Sequence, residues 1–148
     1  IHQEKKVIPY SAKKMFDLVI DVNKYPIFVP WCSNVNIRSR TQADEAGSEY
    51  LYADLEVSFK VYKEIFLSKI FANSSKLVIE INHEEGPFKV LKNQWIFLPV
   101  DENSCEVNLE VMFEFKSFIL QKVVGIFFYE AVKKVIIAFE NRAKEIYK

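Results

Sequence analysis

CEVNLEVMFEFK, residues Cys105 to Lys116, and SFILQKVVGIFFYEAVKKVIIAFENRAKEIYK, residues 117–148, together decide the fold. In the first piece Cys105, Val107, Leu109, Val111, Phe113 and Phe115 alternate with Glu106, Asn108, Glu110, Met112, Glu114 and Lys116. Period two of this kind makes a strand with one face buried and the other mostly wet. The second piece changes period. On a helical wheel Leu120, Val124, Phe127, Phe128, Ala131, Val132, Val135, Ala138 and Phe139 form one broad stripe, with Lys122, Lys133, Glu140 and Lys144 opposite. Ser117 can cap this helix, which runs to Tyr147 and is about 46 Å long at 1.5 Å per residue. A helix of that length crosses a whole sheet. Its Leu120, Val124, Phe127, Ala131 and Val135 are expected to pack on the face carrying Val107, Leu109, Val111 and Phe113. Glu130 with Lys134 and Glu140 with Lys144 have the favourable i, i+4 charge order. Ile126 and Ile137 fall near the charged side, and Gly125 either permits a close approach or is neutral.

Upstream, from Asn34 onward, the same period two persists, broken at turn-forming clusters: Asp44 to Gly47, Asn73 to Ser75, Glu84 to Pro87 and Asp101 to Ser104. That is an antiparallel meander. Before it, a short strand is predicted near Lys5 to Pro9, and Ser11 caps a helix carrying Met15, Phe16 and Val19 at helical spacing. DVNKYPIFVPWC, Asp21 to Cys32, holds Pro26 and Pro30 and reads as short helical turns displaying aromatics. The predicted class is α+β: a curved antiparallel sheet of six to seven strands wrapped around a long C-terminal helix, with short helices after the first strand. No repeat or linker interrupts it, so a single domain over residues 1–148 is expected.

Composition narrows the function. Twenty basic residues balance twenty acidic ones, which leaves no long-range field for nucleic acid, and DNA is not expected as a partner. With only three glycines no Gly-rich phosphate loop can be written. Two histidines, His2 and His83, and two separated cysteines, Cys32 and Cys105, supply metal sites and nucleophilic triads poorly; no catalytic residue, metal or cofactor is expected, and His83 reads as an ordinary surface histidine. The adjacent acids Glu84 with Glu85 and Asp101 with Glu102 read as solvated turns. No apolar run approaches the roughly 18–20 residues that span a bilayer. The surplus is aromatic: thirteen Phe and seven Tyr in 148 residues exceed what a small core calls for. A twisted sheet gripping one helix leaves a wedge that such side chains can line.

Several blocks carry a resemblance. Tyr10-Ser11, Met15-Phe16, Leu18-Val19, Asp21-Val22, Tyr25-Pro26, Phe28 and Pro30-Trp31-Cys32 resemble the opening signature of the coenzyme Q-binding family of the START-like, helix-grip superfamily. Ala53-Asp54-Leu55, Val57, Phe59, Glu64, Phe66 and Ser68 are similar to its second block, and Gly86-Pro87-Phe88, Leu91, Trp95, Phe97 and Pro99 to its third. Phe113-Glu114-Phe115-Lys116-Ser117, Phe127-Phe128, Glu130, Val132, Ala138-Phe139-Glu140 and Arg142-Ala143 complete the likeness, which departs from the family at Ser58, Leu67 and Tyr129. It implies non-catalytic binding of ubiquinone or a related prenylated lipid in a sheet–helix cavity, and delivery of that ligand to respiration or quinone biosynthesis. Carried over by position, Phe28, Pro30, Trp31, Leu55 and Trp95 are the expected ligand contacts; strand parity and the helical wheel add Phe97, Phe113, Val124 and Phe127. Contact with a membrane is expected to be peripheral and transient. The implied place is the bacterial cytoplasm beside the inner membrane, or the matrix side in a mitochondrion.

Two rivals share these features. Members of the same bacterial branch are ribosome association toxins that bind a ribosomal subunit and block subunit joining, for which a basic patch at Lys5, Lys6, Lys13, Lys14, Lys133 and Lys134 is the candidate surface. Polyketide cyclase-like enzymes share the cavity and need polar groups deep within it; Lys63, Glu64, Asn93 and Gln94 are the candidates, with the inward-facing pair left open by alternation alone.

Overall fold

The computed structural model describes residues 2–59, 62–84 and 88–147, apart from the side chains at 59, 62, 120, 123, 124 and 126. Its elements run β1 (His2–Ile8), α1 (Ala12–Ile20), a 3-10 turn (Val22–Lys24), α2 (Tyr25–Phe28), β2 (Cys32–Arg40), β3 (Ser48–Phe59), β4 (Tyr62–Asn73), β5 (Val78–Glu84), β6 (Phe88–Asp101), β7 (Ser104–Phe115) and α3 (Phe118–Ile146). The seven strands form one curved antiparallel sheet in the order β1-β7-β6-β5-β4-β3-β2. Register shifts at Cys32/Asn34, Ile37/Ser39, Phe88/Val90 and Pro99/Asp101 add local bend, as bulges do.

Local chemistry accounts for the punctuation. Ser11 Oγ accepts from the Lys14 amide at 3.2 Å and starts α1, which buries Ala12, Met15, Phe16, Leu18, Val19 and Ile20. The Tyr25 hydroxyl donates to the Val19 carbonyl and ties α2 to the end of α1; burial raises that phenol far above its usual pKa. At the Asp44–Gly47 turn Gly47 takes φ +83°, and the Asp44 carboxylate accepts from the Ser48 amide at 2.8 Å. Of the Glu84–Pro87 turn, residues 85–87 lie outside the described residues. The hairpin joining β3 to β4 pairs Phe59 with Tyr62 and was not marked by any turn cluster, because no Gly, Pro, Asn or Asp stands there. It supplies the seventh strand.

β7 keeps the predicted parity: Cys105, Val107, Leu109, Val111 and Phe115 are buried and Phe113 is half-buried. The Ser117 carbonyl accepts from the Gln121 amide at 3.0 Å, which places Ser117 at the N-cap position of α3. At 29 residues α3 is about 43 Å long. Its buried line is Gly125, Val132, Ile136, Phe139, Glu140 and Ala143, with Phe128 and Val135 half-buried. The predicted stripe is therefore rotated. Phe127 lies about 140° from Val132 at 100° per residue and is 68% exposed, whereas Ile136 is buried. Leu120 and Val124 of the predicted stripe have side chains outside the described residues. The physical reason is that apolar residues occur almost all round this helix, so hydrophobicity alone points weakly in any direction. Glu140, expected on the wet side, is buried and accepts from Lys6 Nζ of β1 at 2.6 Å. Glu130 faces Lys133 at 3.7 Å, while Lys134 Nζ stands 5.9 Å from the Trp31 ring centre.

Candidate ligand cavity

The concave face of the sheet and the buried side of α3 do not meet everywhere. Between them lies a cavity of about 300 Å³. Its sheet wall is Leu55 and Val57 from β3, Phe66 from β4, Ile81 and His83 from β5, Phe88, Leu91, Asn93 and Trp95 from β6, and Leu109 and Val111 from β7. All but Phe88, which lies beyond the register shift at Phe88/Val90, share the inward parity of their strands. α3 contributes Phe128, Ala131, Val132, Val135 and Phe139, and Tyr25, Val29, Pro30, Trp31 and Cys32 close the side. Among the described residues no Asp, Glu, Lys or Arg lines it.

The proline-bounded segment places its aromatics by hydrogen bonding and by an unusual backbone. Trp31 takes φ 64°, a left-handed conformation that a bulky residue rarely adopts, and costs of order 1–3 kcal/mol. Its carbonyl accepts from the Ser58 amide at 2.8 Å, and Ser33 Oγ and Ser58 Oγ lie 2.8 Å apart, so the segment is stitched to β3 at this point. Trp95 is 4% exposed; one ring face stacks on Phe97 at 6.2 Å and 10°, and Phe139 meets it edge-on at 5.2 Å.

Of the predicted contacts, Pro30, Trp31, Leu55 and Trp95 stand in the wall. Four others do not. Phe28 sits behind it, edge-on to Tyr25 and Phe139 and 5.6 Å below the Arg142 guanidinium. Phe97 shares the face of Trp95 but lies farther along β6, 1% exposed and edge-on to Phe16 of α1, so α1 covers it. Phe113 lies with its ring centre 4.3 Å from that of Phe128, tilted by 38°, and Phe128 faces the cavity in its place. Phe127 points to solvent for the reason given by the rotated helix. The Val124 side chain lies outside the described residues.

The wall carries a polar spot that the sequence reading misplaced. His83, read as a surface residue, is enclosed by protein: Ser68 Oγ lies 2.7 Å from its Nδ1 and the Asn93 amide nitrogen 3.4 Å from its Nε2. The surface it keeps faces the cavity. Burial pushes its pKa down to about 4, so the ring is neutral near pH 7. Ser68 is fully buried, and Asn93 Oδ1 is buried with no hydrogen-bond partner among the described residues. The signal was present as parity, since His83 follows Ile79 and Ile81 at period two and Asn93 stands between Leu91 and Trp95. Of the other polar candidates, Gln94 bonds Glu80 on the outer face at 3.2 Å, Lys63 faces Glu56 at 3.7 Å, and Glu64 is exposed. Cys32 and Cys105 are free thiols, each pushed up to about 11 by burial, and neither is an activated nucleophile. Among the described residues no group of three or more His, Cys, Asp and Glu is placed to hold a metal ion, and no helix is long and apolar enough to cross a membrane.

The sequence model of the polyketide cyclase / dehydrase and lipid transport family matches residues 8–140, nearly the whole of this sheet-and-helix unit. The chain belongs to that family. Among its relatives, the ribosome association toxin RatA of Rickettsia prowazekii is 34% identical over 149 residues, covering 99% of this chain and 97% of the relative. The coenzyme Q-binding protein COQ10 homolog B, mitochondrial, of Xenopus laevis is also 34% identical over 149 residues, but the match covers 59% of that longer protein. The solution structure of the 18 kDa protein CC1736 from Caulobacter crescentus superposes with a TM-score of 0.78 at 32% identity, over 99% of this chain and 97% of that one. The START-like membership expected from the Pro30-Trp31-Cys32 and Phe113 to Ser117 blocks is thereby shown, and the fold with it. The Zhui aromatase/cyclase of Streptomyces sp. R1128, at TM-score 0.81 and 12% identity over 99% and 94% of the two chains, shares the fold.

Proposed function

We propose that this family member binds ubiquinone or a related prenylated lipid without transforming it, and delivers it to respiratory or biosynthetic partners. The observation that carries the reading is the cavity wall: among the described residues it is apolar and aromatic, free of Asp, Glu, Lys and Arg, and interrupted at His83 and Asn93. A ring with a few prenyl carbons suits a volume of about 300 Å³, and each buried methylene contributes about 0.8 kcal/mol. The rest of a long tail stays outside. Phe118, Ile119 and Phe127, exposed on the N-terminal half of α3, provide apolar surface for transient contact with the membrane from which such a lipid comes. The reading needs no metal, covalent cofactor or catalytic residue, and burial keeps the His83 ring in the wall neutral near pH 7. It is supported by the name of the Xenopus laevis relative.

Both tryptophans, Trp31 and Trp95, stand in the wall, so intrinsic fluorescence reports occupancy directly. A short-tailed ubiquinone should quench it saturably, and native mass spectrometry of freshly purified protein should show a co-purified prenyl lipid. Linear, unsaturable quenching together with lipid-free protein would refute the reading.

A second reading, ribosome association, is favoured by the near full-length match to the Rickettsia prowazekii relative. The predicted basic patch is weakened by local pairing: Lys6 with Glu140, Lys13 with Asp17 and Lys133 with Glu130. Co-sedimentation with ribosomal subunits at moderate salt separates the two, because a quinone carrier stays in the supernatant.

A further inference from the structure

Within the ligand-binding reading, on which this step rests, the polar spot at Ser68, His83 and Asn93 has a property that a lone hydrogen-bonding group lacks. The three side chains are in series: Ser68 Oγ to His83 Nδ1 at 2.7 Å, then His83 Nε2 to the Asn93 amide at 3.4 Å. Ser68 and the far amide atom of Asn93 are buried, and that amide atom has no partner among the described residues. A buried polar atom without a partner is expensive, and since this one is closed off from solvent, a turn of the Asn93 side chain into the cavity that it and His83 both line is what brings it a partner.

A neutral imidazole offers one donor and one acceptor, a hydroxyl either, and a primary amide exchanges its oxygen and nitrogen by a half-turn of its last torsion. Two arrangements therefore satisfy the series. In one, Nδ1–H donates to Ser68, Nε2 accepts from the Asn93 NH₂, and the Asn93 oxygen is left as an acceptor. In the other, the Ser68 hydroxyl donates to Nδ1, Nε2–H donates to the Asn93 oxygen, and the NH₂ is left as a donor. Each keeps both internal hydrogen bonds, no proton is gained or lost overall, and no charged side chain among the described residues of the wall favours one over the other.

We infer that Ser68, His83 and Asn93 form an invertible hydrogen-bond relay that anchors the oxygen-bearing ring of the ligand and accepts it in both its carbonyl and its hydroxyl form. The Asn93 oxygen takes a hydroxyl of the reduced ring, and the Asn93 NH₂ takes a carbonyl of the oxidised ring. Such a carrier holds its cargo whichever redox state it has when collected.

The test uses the whole protein and three ligands: a short-tailed ubiquinone, the same compound reduced and kept anaerobic, and an alkylbenzene of matched tail with no ring oxygen. Wild-type protein should bind the first two within about threefold of each other and the hydrocarbon about tenfold more weakly, the factor carried by one neutral hydrogen bond. Asn93→Leu should bind both oxygenated ligands no more tightly than the same variant binds the hydrocarbon, with a cooperative urea transition showing that the variant is folded. A measurement on wild-type protein needs no variant: imidazole ¹⁵N shifts of His83 should report mainly the Nε2–H tautomer with the quinone and the Nδ1–H tautomer with the quinol. Failure of all three ligands to bind sinks the cavity reading itself. Equal binding of all three, or one tautomer with both redox forms, leaves that reading standing and overturns the relay.

Discussion

Acidification is the sharpest probe of whether His83 sits where the fold puts it. Burial holds its folded-state pKa at about 4, against about 6.5 in an unfolded chain. Below pH 6.5 the unfolded chain binds a proton that the folded protein refuses, so stability falls as pH is lowered, and the loss levels off below about 4. At about 1.4 kcal/mol per pH unit across that window the full effect is on the order of 3 kcal/mol, a large part of the 5–15 kcal/mol that holds a typical domain. Carboxylates shift the same curve, and His83→Gln separates them, because glutamine is neutral throughout and leaves the carboxylates in place. Urea denaturation of both proteins at pH 7.0, 5.5 and 4.5 gives the comparison. Wild-type protein should lose about 2 kcal/mol more than the variant between the first and last of these. Parallel stability curves would mean that His83 is solvated in the native state, and the polar end of the cavity would have to be abandoned with it.

Three substitutions test neighbouring parts of the structure. Trp95→Ala removes one ring that is both packed on Phe97 and Phe139 and part of the cavity wall, so its cost should fall near the lower end of the roughly 3–5 kcal/mol for a fully packed tryptophan, with quinone affinity lost in the same titration; a stable variant with unchanged affinity would remove Trp95 from the wall. Gly47→Ala and Gly125→Ala should move stability in opposite directions by thermal denaturation. At Gly47 the backbone has φ +83° and a Cβ would lie 2.7 Å from Ser74 Oγ, which predicts a loss exceeding 1 kcal/mol or so. At Gly125 a Cβ would meet Gln121 at 3.4 Å and Phe113 at 3.9 Å, ordinary contacts, and the helix should gain up to about 0.8–1.0 kcal/mol. A destabilised Gly125→Ala protein would show that α3 lies closer to the sheet than the geometry here allows.

What could be read from the chain alone was whatever depends on neighbours within one element. The alternation from Cys105 to Phe115 specified which face of β7 is buried, because successive strand side chains point to opposite sides wherever the strand ends up. Ser11 and Ser117 marked helix starts through bonds three or four residues long, and the prolines at 26 and 30 forbade one continuous helix across that stretch. The same parity put Trp95 and Phe97 on one face but left open whether Asn93 or Gln94 turns inward, and Pro30, Trp31 and Leu55 of the wall came with the resemblance. Tertiary structure alone decided the rest. α3 is apolar on nearly every side, so its rotation was set by the sheet it lies against: Phe127 went to solvent and Ile136 to the core, and Glu140 was buried because Lys6 of a distant strand could neutralise it. Whether an inward residue lines space or fills it also depends on what arrives from elsewhere in the chain. Phe97 and Trp95 are two positions apart on one face, yet α1 covers the first and nothing fills the space before the second. His83 became a cavity residue because Ser68 from β4 and Asn93 from β6 stand on either side of it, a coincidence of three strands that no single stretch of sequence contains.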